Sequence, residues 1–239
     1  MSMPKEIKYF SILYFLLLLV DIYTKINMSD IPYRYITKTI VLGGLLLFTR
    51  YYCYDKNNKT SNYLYYGFIL FFIGDILIID HTNTIRFVAS MILFVAGKVC
   101  YTLRFKHKED FSIKRLIPFF IVCFMFLAVV YDFIYHNLKL YFIPVTLYFF
   151  ISLIMILFAF IRKGVVNNKS YYIVMLGVGV FLFSETTMVI KTFYGDVLYQ
   201  DFLIMFCYAL GQYLIIIGVL FENKKLTENS VILYPKNDK

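Results

Sequence analysis

Leu64–Asp80 reads LYYGFILFFIGDILIID, an apolar run interrupted by one carboxylate, Asp75. The chain is 61% hydrophobic and strings such runs end to end, so this stretch predicts a membrane helix that carries an acid. A carboxylate at mid-helix costs roughly 2.5–3.5 kcal/mol to insert, and so demands a partner, a wet cavity or a chemical role. A second stretch, Gly177–Ile190 (GVGVFLFSETTMVI), places Glu185 in the equivalent position. The two acids are the centre from which the rest of the chain is read.

About 20 apolar residues cross a bilayer. Eight runs qualify: Ile7–Tyr23, Ile31–Phe48, Tyr63–Ile79, Ile85–Leu103, Ile113–Tyr131, Leu138–Ile161, Tyr171–Ile190 and Phe202–Phe221. The first follows Lys5 without a clean small-x-small cleavage pattern, and is read as a span rather than a signal peptide. The links are short and polar, as in residues 55–62 and 162–169. The expectation is an all-α polytopic membrane protein: one eight-helix domain over residues 1–222 and a polar cytoplasmic tail over 223–239. With all eight spans, seventeen of the 24 Lys and Arg residues fall on the side of both termini. Five fall on the other (Lys25, Arg34, Arg86, Lys139, Lys191), with Lys38 and Lys98 inside spans. That asymmetry places both termini in the cytoplasm.

The pattern also repeats across halves. Gly67-x6-Gly74-Asp75 in span three matches Gly177-x6-Ser184-Glu185 in span seven, and Phe94-x-x-Gly97-Lys98 in span four matches Tyr208-x-x-Gly211-Gln212 in span eight. An offset of four spans preserves direction, so the expectation is a parallel 4+4 repeat with a site where the halves meet.

Other function classes recede. The net charge of +9 resides in loops between apolar runs, without a basic helix or aromatic-basic motif for nucleic acid. Cys53, Cys100, Cys123 and Cys207 share no CxxC spacing and read as free thiols. His81, His107 and His136 are read in loops, never at i,i+4, so no metal site is expected. Ser184 beside Glu185 lacks a GxSxG context and an intramembrane His base, which disfavours serine-hydrolase chemistry.

What remains is a buried acid–base set. Small residues ahead of each acid let neighbouring helices approach, so Asp75 and Glu185 are expected to face a common hollow inside the bundle. Lys38 falls at a similar depth, and Lys98 either pairs or snorkels towards the cytoplasmic face. Two acids balance two lysines. A purely structural reading makes Asp75–Lys38 and Glu185–Lys98 ion pairs; the chemical reading makes the acids catalytic, with Tyr101, Ser184 and Gln212 as further polar groups. Asp21 belongs either with them or at the interface. Paired carboxyls suit acid–base catalysis, one holding a proton while the other is ionised.

These residues resemble the YhhN-like membrane family, which includes the animal lysoplasmalogenases. The resemblance spans nearly the whole chain: eight spans, Lys38 early in span two, Gly74-Asp75 in span three, Tyr101-x-x-x-Phe105 closing span four, Ser184-Glu185 in span seven and Gln212 in span eight. It implies hydrolysis of the vinyl ether bond of lysoplasmalogen-type lysophospholipids to a fatty aldehyde and a glycerophospho head group, without metal or organic cofactor. In that reading Asp75 and Glu185 are catalytic, and Lys38, Lys98, Tyr101, Ser184 and Gln212 bind substrate or tune the acids. The family carries Ser-Asp where this chain has Ser184-Glu185, and His where it has Lys98. Those departures leave two other expectations standing: a relative that binds lipid without cleaving it, and a proton-coupled carrier using the same cluster. The Ile, Lys, Asn, Tyr and Phe content suggests an AT-rich genome and a bacterial plasma membrane.

Overall fold

Each apolar run becomes a helix because hydrocarbon offers no partner to a free backbone N–H or C=O, and a helix satisfies both internally. The computed structural model describes residues 5–28, 30–55, 59–80, 82–106 and 113–233, with backbone alone for 30, 59, 113–115, 140 and 223–233. The helices are α1 Lys5–Asn27, α2 Tyr35–Cys53, α3 Lys59–Leu77, α4 Thr84–Phe105, α5 Ile113–Leu138, α6 Phe142–Ile161, α7 Asn168–Phe193 and α8 Gln200–Leu233. Asn83 caps α4, accepting from the Ile85 and Arg86 amides, and Asn167 caps α7, accepting from Ser170.

Among the described residues, seven of these helices are long and apolar enough to cross a membrane, by length and composition. The protein is therefore an integral multi-pass membrane protein. The helix below that measure is α2, which carries Lys38 and Arg50. The polar tail expected from residue 223 continues α8 as helix to Leu233. Once a helix is nucleated, each added residue needs only one more hydrogen bond, and after Gly218 no Gly or Pro intervenes before Pro235. His136, expected in a loop, sits in the last turn of α5; His81 and His107 lie outside the described residues.

One core cluster joins α1, α2, α3, α4, α6, α7 and α8 around Leu45, Phe68, Phe71, Tyr101, Phe181 and Ile216. A second, smaller cluster holds α5 to α6 and α7 through Val130, Ile134, Leu138, Val145, Phe149 and Val189. The bundle exterior is apolar too, as at Ile12, Leu16 and Leu19 of α1, which suits a lipid-facing surface rather than an aqueous one.

The α3/α4 and α7/α8 pairs pack in the same register. Gly67 abuts Cys100 and Tyr101, and Gly177 abuts Leu214 and Ile215. Gly97 lies on the Phe71 ring, and Gly211 lies against Phe181. The Ser90 carbonyl faces Gly74, and the Ile204 carbonyl accepts from Ser184. One constant offset relates all the α3 positions to α7, and a second relates α4 to α8.

The α7/α8 contact is the tighter. A Cβ on Gly177 would stand 2.9 Å from the Ile215 amide nitrogen and 3.1 Å from the Gly211 carbonyl oxygen, both backbone atoms that cannot swing aside. Gly177→Ala is expected to cost about 1–3 kcal/mol by overpacking, read as a lower melting temperature in detergent. Gly179→Ala, whose Cβ would meet nothing within 4 Å, is the control and should melt as wild type.

Candidate functional site

Lys38 of α2 reaches α3, its Nζ 2.8 Å from Asp75 Oδ1. The other carboxylate oxygen, Oδ2, accepts from the Tyr208 hydroxyl of α8 at 2.6 Å. Three helices thus meet at one acid, and each of its oxygens has a donor. The surrounding charge and hydroxyl groups extend further: Tyr14, Tyr101, Tyr148 and Tyr208 all lie within electrostatic reach of Asp75.

Glu185 of α7 has its own set. Lys98 Nζ is 2.7 Å from Oε1, and the Tyr148 hydroxyl donates to the same oxygen. Ser152 Oγ lies 3.1 Å from Oε2 and accepts from Lys98 at 2.7 Å. Lys98 Nζ also stands 3.2 Å from the centroid of the Tyr148 ring, close enough for the ring's negative face to attract the ammonium. Lys98 is fully buried; it pairs and does not snorkel.

Both lysine–acid pairs named from charge balance therefore form, but the two carboxylates have no common ligand. Each has a tyrosine donor: Tyr148 bonds to Glu185 and Tyr208 to Asp75. Tyr101, one turn beyond Lys98 on α4, donates to Gln212 Oε1 at 2.6 Å, and Gln212 is one turn beyond Tyr208 on α8. The pairs differ in access: the Lys38 side chain is 11% exposed and that of Lys98 0%.

Gln212 sits between two tyrosines: its Oε1 accepts from Tyr101, and its side chain also bonds Tyr208, the donor to Asp75. Ser184, by contrast, gives its hydrogen to the Ile204 carbonyl at 2.7 Å. It straps α7 to α8 and bonds to neither acid.

Tyr148, Ser152 and Tyr208 complete the cluster; the first two are not singled out from sequence, and Tyr208 is named there only as a position of the repeat. The available signal was spacing: Tyr148/Ser152 and Tyr208/Gln212 are both i,i+4 pairs on one helix face. In a chain with 23 tyrosines that signal does not stand out. Tyr208→Phe deletes one hydrogen bond to the Asp75 carboxyl group, worth about 0.5–1.5 kcal/mol. It is expected to lower whatever turnover Asp75 supports by about tenfold, with near-normal expression and folding as the check.

A separate ionic cluster lies at the other end of α4 and α8. Glu222 accepts from Arg104 Nη1 at 3.3 Å and from Arg162 Nη2, and all three side chains are buried. Arg162 Nη2 also reaches Ser170 Oγ at 3.2 Å. The sequence reading had put both arginines in loops and Glu222 at the edge of the tail. They instead tie the ends of α4, α6, α7 and α8 together.

Among the described residues no group of three His, Cys, Asp or Glu side chains is placed to hold a metal ion. A cleft of about 220 Å³ opens between α5 and α6, walled by Phe119, Phe120, Phe124, Phe150 and Leu157 among other apolar side chains. On α6, Tyr148 and Ser152 bond to Glu185 while Phe150, Leu153 and Leu157 line the cleft.

Comparison with curated proteins and with solved structures finds no significant match. The YhhN family model matches residues 33–219, a span that contains Lys38, Asp75, Lys98, Tyr101, Ser184, Glu185 and Gln212. It covers most of the chain, so the protein belongs to the YhhN family.

Proposed function

We propose that the protein is a membrane-embedded hydrolase that cleaves the vinyl ether bond of lysoplasmalogen-type lysolipids in a bacterial plasma membrane. The observation that carries the proposal is the pair of buried carboxyl groups, Asp75 and Glu185, each beside its own lysine inside the bundle. Two such groups can divide the acid and anion roles that cleavage of a vinyl ether needs.

The chemistry needs a proton, an anion and water. A carboxyl proton adds to the β-carbon of the vinyl ether; the π electrons form the new C–H bond and the oxygen-bearing carbon becomes an oxocarbenium ion. A fixed carboxylate steadies that cation. Water adds to the cationic carbon and gives its proton to the carboxylate that began as the acid. The hemiacetal then breaks its C–O bond, releasing fatty aldehyde and the glycerol hydroxyl. Asp75 and Glu185 take the two carboxyl roles, each beside its own lysine, Lys38 or Lys98. The matched packing of α3/α4 and α7/α8 supports a parallel repeat in which each half contributes one acid.

The test is aldehyde release by the purified protein in lipid nanodiscs, from a lysoplasmenyl lipid and from its saturated-ether counterpart. Aldehyde from the first alone supports the reading. No aldehyde, with saturable binding of the lysolipid, would replace it with the non-cleaving lipid binder.

A further inference from the structure

Each buried carboxyl group has a hydroxyl neighbour that decides whether it can hold a proton. Beside Glu185 it is Ser152, whose Oγ lies 3.1 Å from Oε2. The Ser152 hydrogen has a second acceptor, the Tyr148 carbonyl one turn back at 3.0 Å. A hydroxyl has one hydrogen and two lone pairs. With its hydrogen on the carbonyl, Ser152 accepts from Lys98 with one lone pair, at 2.7 Å, and offers the other to a proton on Oε2. Lys98 keeps Ser152 and the Tyr148 ring as partners when Glu185 is neutral.

Asp75 differs on both counts. Tyr208 lies 2.6 Å from Oδ2, and the same phenol is bonded by Gln212. Tyr101, at 2.6 Å, occupies Gln212 Oε1, so the amide turns its nitrogen, a donor, towards Tyr208. The one hydrogen of Tyr208 is thereby directed at Asp75. A proton on Oδ2 would require that hydrogen to turn away and the amide to flip, which strips the buried Tyr101 hydroxyl of its acceptor. A proton on Oδ1 would meet the Lys38 ammonium, and would cancel the charge that Lys38 pairs with at 2.8 Å. Tyr14 and Asp21 of α1, Tyr101 of α4 and Tyr148 of α6 are the other titratable groups in electrostatic reach of Asp75; Asp21 itself accepts from Thr37 at 2.6 Å.

We infer that the two acids have fixed roles: Glu185 carries the catalytic proton, and Asp75 is the standing anion, kept so by Tyr101 acting through Gln212 and Tyr208. The division rests on the hydrolase reading for its use in turnover, and on hydrogen-bond geometry for the protonation states. Tyr101 touches no reacting atom and is a positioning residue. Glu185 Oε2 gives its proton to the β-carbon of the vinyl ether, and the Ser152 hydrogen swings from the Tyr148 carbonyl to the oxygen left bare. Asp75 steadies the oxocarbenium ion. Water adds to the cationic carbon and its proton goes to Oε2, and the Ser152 hydrogen swings back.

The experiment uses the full chain in lipid nanodiscs as wild type, Glu185→Gln, Asp75→Asn and Tyr101→Phe. The first readout, without lysolipid, is the infrared band of protonated carboxyl groups. At pH 7 the band should lose intensity in Glu185→Gln and keep it in Asp75→Asn. Either change breaks a buried ion pair, so each is repeated with the partner lysine replaced as well, Lys98→Met or Lys38→Met, with the same outcome expected. In Tyr101→Phe, Asp75 should take up its proton about one pH unit higher than in wild type, a component identified by its loss when Asp75→Asn is added. The second readout is the pH profile of aldehyde release. Tyr101→Phe should move the acid limb of kcat up by the same interval with little change in KM, whereas a merely structural role would lower the rate and leave the limb in place. Equal band intensity in the two acid variants, or a loss confined to Asp75→Asn, overturns the division of roles. An unmoved Asp75 titration in Tyr101→Phe overturns the part given to Tyr101. If wild type releases no aldehyde, the hydrolase reading fails, and the infrared comparison still decides which acid holds the proton.

Discussion

Asp75→Asn should lower aldehyde release by a factor of about 10²–10⁴, the usual contribution of a positioned acid or base, while the protein still binds lysolipid. The amide keeps the shape of the carboxyl group and can still accept from Tyr208, but it can neither give a proton nor balance the Lys38 ammonium 2.8 Å away. Breaking a buried ion pair by removing one partner costs about 3–5 kcal/mol, so a loss of rate alone would not separate chemistry from folding. The double substitution Lys38→Met with Asp75→Asn separates them. It removes both charges, so the melting temperature should recover most of what Asp75→Asn loses. Activity should stay absent. Recovery of aldehyde release in the double variant would take Asp75 out of the reaction and leave it a structural acid.

Glu222→Gln should be the most destabilising single change at the opposite end of the bundle. Glu222 faces two guanidinium groups, Arg104 and Arg162, and the Arg162 side chain is fully buried. Neutralising the carboxylate leaves two like charges together in a low-dielectric interior, for which about 3–5 kcal/mol is the expected cost. Thermal unfolding in detergent reads it directly. Turnover measured well below the new melting temperature should be near wild type, because Glu222 stands ten residues along α8 from Gln212, about 15 Å at the helical rise. A full loss of activity in folded Glu222→Gln protein would show that the two ends of α8 are coupled.

The helices were legible in sequence because apolar length is a strong signal, and most boundaries move by only a few residues. The lysine–acid pairing was legible for a different reason. Lys38, Lys98, Asp75 and Glu185 are charges deep inside spans, where an unpaired charge is too costly to keep. Tyr148 and Ser152 escape notice, and Tyr208 reads only as a repeat position, because a hydroxyl in an apolar run costs little and tyrosine is everywhere in this chain. Arg104, Arg162 and Glu222 escaped because a charge near a helix end ordinarily reads as interfacial. Asp21 met the same ambiguity at the end of the first span, and only its bond to Thr37 resolves it. Ser184 was over-read: its place beside Glu185 in sequence says nothing of the helix it bonds to.

The glycine contacts between α7 and α8 also bear on how a lipid reaches the acids. Backbones that touch leave no seam, and hydrocarbon cannot thread that pair. An apolar cleft lies on the far flank of α6, against α5. One helix thickness then partitions grease from charge: α6 is oily on one side and hydroxyl-bearing on the other.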